Sequence, residues 1–75
     1  MAQEHEHELD VRSLDLTQRF SAIFGKLGEL PEGDTLLLIN DFEPVPLFAA
    51  LDTQGYSCQS RRVNDSEWHV KITRR

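Results

Sequence analysis

Apolar and polar positions change period several times along the chain, and each change marks an expected element. From Leu16, apolar side chains recur at Phe20, Ile23, Phe24 and Leu27, a spacing that lines one face of a helix. The pattern predicts a helix over 16–27, opened by a capping pair of Asp15 and Gln18 and stopped by Gly28. Ahead of it, Leu9 to Arg12 is short and alternating, as in a first strand. Residues 1–8, MAQEHEHE, carry charge without period and are expected to form a flexible acidic tail. Beyond the turn residues Pro31 and Gly33, the run LLLIN (36–40) suits a strand buried on both faces. In NDFEPVPL (40–47), Pro44 or Pro46 offers the preset backbone angle of a first helical turn, with acidic groups ahead of it to cap and complement that end. A second helix is expected to reach about Gln54, burying Leu47, Phe48 and Leu51 and ending at Gly55. Two strands, 56–63 and 67–73, follow around Asn64, Asp65 and Ser66. In the last, Trp68, Val70 and Ile72 point one way and His69, Lys71 and Thr73 the other, which predicts one covered and one wet face.

The order β-α-β-α-β-β predicts an α+β two-layer sandwich, a single domain over 9–75 with both helices on one face of a mixed four-stranded sheet. If the first two strands are parallel, the loops 13–16 and 40–46 leave the same end of the sheet. Both helix N-termini then meet at one corner, where open α/β sheets usually bind ligands.

Composition narrows the function classes. A domain of 75 residues buries only about 60% of its unfolded surface and has little stability to spare for strained catalytic geometry. The net charge of −5 and pI near 5.0 count against nucleic-acid binding. Charge is also unevenly placed: Glu4, Glu6, Glu8 and Asp10 fall in the first ten residues, while Arg61, Arg62, Lys71, Arg74 and Arg75 fall in the last fifteen. That polarity is either an ordinary solvated surface with scattered charges or a dipolar surface suited to a protein partner. The single cysteine, Cys58, forms no internal disulfide, no signal-peptide pattern opens the chain, and no apolar run approaches the roughly 20 residues that cross a bilayer. A cytoplasmic protein away from membranes is expected.

The segments LDVRSL (9–14), RFSAIF (19–24), LPEGDTLLLIN (30–40), NDFEPVPL and EWHVKITRR (67–75) together resemble the family catalogued as domain of unknown function 2249, over nearly the whole chain after the tail. That family looks like a relative of the TusA-type sulfur carriers, so the resemblance implies a TusA-like sandwich. The carriers place a nucleophilic cysteine, in a Cys-Pro-x-Pro motif, at the start of the first helix. Here LDLT (14–17) stands at that position, and without a sulfur nucleophile it excludes persulfide transfer there. The resemblance also implies histidines at two positions that Phe20 and Phe42 occupy in this chain. A metal site at the corner therefore lacks two donors.

Five residues are candidates for ligand binding at that corner: Arg12, Arg19, Asn40, Asp41 and Glu43. Asp41 and Glu43 offer the two carboxylates that acid–base work or a metal requires, or else serve with Asn40 to cap the second helix and fix its turn. An arginine here pairs with Asp41 or, with the helix N-termini, captures an anion. His5 and His7, among Glu4, Glu6 and Glu8, are metal donors by type but sit on a tail without preorganisation. Cys58 is either an inert half-buried thiol or a redox group activated by Arg61 and Arg62. No catalytic constellation, resident metal or cofactor is expected, and His69 has no nucleophile at triad spacing. The uncovered sheet face, with Arg61, His69, Lys71 and Thr73, is open to a protein partner or a second copy. A non-enzymatic binding module with a protein partner is the leading expectation; a small-ligand or anion-binding regulatory domain and a redox or sulfur relay through Cys58 are the alternatives.

Overall fold

The computed structural model describes residues 5–75. Its elements are β1 (Glu6–Asp10), α1 (Leu16–Glu29), β2 (Thr35–Asn40), α2 (Val45–Thr53), β3 (Tyr56–Asn64) and β4 (Glu67–Arg74). The sheet order is β1-β2-β4-β3, with β1 parallel to β2 and the other two pairings antiparallel. This is the expected β-α-β-α-β-β mixed sheet.

One face of the sheet holds the core. Leu36 and Leu38 of β2 stand beside Ile72 and Val70 of β4, and Ile23 and Leu27 of α1 and Leu47 and Leu51 of α2 close over them. All eight are at most 2% exposed. Side chains two apart on a strand share a face, so both helices lie on this side and the alternate set is left uncovered. No helix among the described residues is long and apolar enough to cross a membrane.

Four local expectations need correction. The first strand is Glu6–Asp10 rather than 9–12, and it includes the end of the expected tail; residues 1–4 of that tail lie outside the described residues. Its backbone pairing with β2, and not an apolar row, holds it, for Leu9 is its only large apolar residue. Gly28 does not stop α1, which runs to Glu29 and ends where Leu30 N–H bonds the Leu27 carbonyl at 3.2 Å. Neither helix receives a side-chain cap: Asp15 makes no such bond, and Pro44 precedes α2 with Pro46 in its first turn. Lastly, the apolar face of α1 is only half used, since Leu16 is 63% and Phe20 43% exposed.

Two glycines carry the backbone where other residues are strained. Gly33 (φ 90°) turns the chain into β2 and Gly55 (φ 90°) turns it from α2 into β3. Between Arg62 and Asn64 the β3 register slips, so Val63 is an extra, unpaired residue opposite β4.

Candidate functional site

Because β1 and β2 are parallel, the loops 11–15 and 41–44 leave the same end of the sheet and bring the N-termini of α1 and α2 together. Arg19, one turn into α1, points back between them and is 8% exposed. Its guanidinium is saturated. Nε donates to the Leu14 carbonyl (3.0 Å), Nη1 to Asn40 Oδ1 (2.6 Å) and Asp41 Oδ1 (2.8 Å), and Nη2 to the Arg12 carbonyl (3.3 Å) and Asp41 Oδ2 (3.4 Å). Arginine has five N–H donors, and here five acceptors meet them. Asn40 passes the link on, donating from Nδ2 to the Phe42 carbonyl at 3.0 Å, and the guanidinium carbon lies 5.7 Å from the Phe42 ring centre. The arrangement ties both loops into one rigid base. The Arg19 hydrogen bond holds the Asp41 carboxyl below its ordinary value, against the opposing effect of burial.

The five candidate residues thus divide. Arg19, Asn40 and Asp41 form one cluster. Arg12 contributes its carbonyl to that cluster while its side chain turns to Asp10 (2.7 Å) and Glu67 (3.4 Å), a pairing that raises its pKa and lowers that of Asp10. Glu43 accepts from Ser60 Oγ at 3.1 Å, on β3, and does not join Asp41. A carboxylate pair is therefore not assembled. Asn40 fixes the turn before α2 by its bond to Phe42, while neither it nor the two acids caps the helix.

Above this base lies a groove of about 260 Å³ whose walls are almost wholly apolar. Val11, Leu16, Phe20 and Ile23 form one side and Phe42, Pro44, Pro46 and Leu47 the other, with Arg19 and Asn40 at the floor. Phe20 also packs edge-on against Phe24, their centroids 6.4 Å apart. The order of elements along the chain implies the corner but not the groove. The missed signal is the apolar stripe of α1 reaching its first turn, beyond what a short β1 with one leucine can cover.

The remaining candidates are dispersed. His7 leaves the expected tail for β1, where Nε2 lies 2.8 Å from Asp34 Oδ2, and the His5 N–H donates to Asp34 Oδ1 at 3.3 Å. The His7 bond is the main cause of a lowered Asp34 pKa. His69 bonds Glu67 at 2.7 Å. Cys58 is half-buried against the core, and burial pushes its thiol up rather than toward a thiolate. No group of three metal-donor side chains occurs among the described residues.

Residues 8–74 match the model of the family described as an uncharacterized conserved protein, DUF2249. No curated protein matches the chain, and no solved structure does.

Proposed function

The chain belongs to the DUF2249 family, and we propose that it works as a non-catalytic binding module of the cytoplasm that takes an apolar anchor of a partner protein into the groove between α1 and α2. One observation carries this reading. Of the five large apolar side chains exposed among the described residues, four gather at this corner: Leu16, Phe20 and Phe42 in the groove wall, and Val45 between the two prolines that line it. Exposed apolar surface concentrated in one place is the usual mark of a recognition site. The saturated arginine beneath supplies a rigid floor, so an entering aromatic or branched side chain meets a preformed wall at little ordering cost. Binding is favoured over catalysis because the acids at the corner are separately engaged, Asp41 by Arg19 and Glu43 by Ser60. Anion capture is disfavoured on similar grounds, since every Arg19 donor already has a protein acceptor.

A displayed library of random peptides, selected on the folded protein, tests the reading. Enriched peptides should share one aromatic or branched aliphatic position, and their binding should disappear with Phe20→Ser or Phe42→Ser while circular dichroism stays unchanged. Selection of acidic peptides indifferent to both substitutions would overturn it.

A further inference from the structure

We propose that the uncovered face of the sheet is a surface for a second copy of this chain, joined face to face about a two-fold axis parallel to the strands. This goes beyond the groove reading and rests on the opposite side of the sheet. The register sets the outward side chains in rows across the four strands. One row reads Glu8, Leu37, Lys71, Gln59, from β1 through β2 and β4 to β3. The next reads Asp10, Ile39, His69, Arg61. In both, acid stands at the β1 edge, an aliphatic residue next, and base toward β3.

A two-fold axis along the strands reverses the order across each row and keeps the row itself. Asp10 then lies over the partner's Arg61. Glu8 lies over the partner's Gln59, flanked by the partner's Lys71 and the partner's Arg61, while Leu37 meets the aliphatic stem of the partner's Lys71. An axis across the strands would instead stack β1 acids on β1 acids. Leu37, Gln59, Arg61, His69 and Lys71 already line a shallow depression of about 490 Å³ that admits the opposing β1 row.

Of the charges in these rows Asp10 already holds Arg12 and His69 already holds Glu67, so Glu8, Arg61 and Lys71 carry the pairing across the contact. Glu8 lies in no ion pair among the described residues, and neither do Arg61 and Lys71, although most other arginines of the chain are engaged. Nucleic acid suits this face poorly, because the β1 acids would repel it and the chain carries −5 overall. A uniformly acidic partner meets the same obstacle. The pattern is matched by its own inverse, which a second copy supplies.

Four strands about 4.8 Å apart make a contact small against the roughly 800 Å² per partner of a stable complex. The dimer is accordingly weak, held at roughly tens to hundreds of micromolar, and loosened by salt. Sedimentation equilibrium of the full chain at low and high salt is the test. We expect a monomer–dimer equilibrium that Lys71→Glu or Glu8→Lys alone weakens at least tenfold. Mixing those two variants should restore a dimer, since each then meets its opposite charge at both contacts. Both positions are exposed, so folding is retained and circular dichroism checks it. A monomer at every concentration and salt overturns the proposal. So does a dimer unmoved by either reversal but lost with Phe20→Ser, which would put the contact at the groove.

Discussion

Arg19 and Asp34 are both buried ionic side chains, and they sit at opposite ends of the parallel β1–β2 pair. Arg19, where those strands end, is bound by five acceptors from four residues. Asp34, just before β2, has two donors, the backbone N–H of His5, next to β1, and the imidazole of His7 within it. The small sheet divides its rigidity unevenly between its two ends. One end is cross-linked by five bonds to Arg19 and carries the groove; at the other, only the two bonds of Asp34 reinforce the backbone pairing of an edge strand. The first is the better platform for recognition and the second the easier place to open.

The strongest way to break this contrast is Arg19→Met. It leaves Asn40 Oδ1 and the Arg12 and Leu14 carbonyls without their donor, and urea unfolding should show a loss of about 3 kcal/mol. Arg19→Lys should recover only part of it, because an ammonium lacks the planar fork. Asp34→Ala should cost less, about 1–2 kcal/mol. Its signature is local: hydrogen exchange should quicken at β1 amides and leave α1 and β4 unchanged. An equal loss of protection everywhere would mean that the two ends are not independent.

Asp10, Asp34 and Asp41 all lie below their ordinary value of 3.8, held there first by bonds to Arg12, His7 and Arg19 respectively. A carboxyl depressed in the folded state binds fewer protons than it does unfolded, so its stabilisation is complete above about pH 4 and is lost as pH falls through the lowered values. Acid titration followed by circular dichroism should therefore show a flat region above pH 4 and decline below it. Asp34→Asn should shallow that decline. The smallest effect on stability belongs to Phe20→Ser, within about 1 kcal/mol because the ring is already half in water, even though it should remove peptide binding altogether.

Most of the architecture was legible because it rests on period. The α1 stripe, the LLLIN run and the alternation of β4 each recorded a burial pattern, and Leu36, Leu38, Ile23, Leu27, Val70 and Ile72 went where that pattern put them. The first strand was misread because its hydrogen bonds come from the backbone of β2, while its side chains, Glu6, His7, Glu8 and Asp10, look like those of a solvated tail. The corner was legible for a topological reason, parallel strands followed by helices, and so was an Arg19–Asp41 pair. The saturation of Arg19 was not, because two of its five acceptors are carbonyls, which every residue has. Phe42 entered the sequence reading only as a histidine's replacement; that it faces Phe20 across a groove depends on how the loop folds.

The unpaired Val63 also shapes the outer edge of the sheet. β3 is an outer strand of nine residues, and a straight strand of that length offers a row of free N–H and C=O groups on which other chains could polymerise. The slip at Val63 twists the far end of that row out of line, and Arg61 and Arg62 put charge along it. The edge is thereby a poor template for fibril growth.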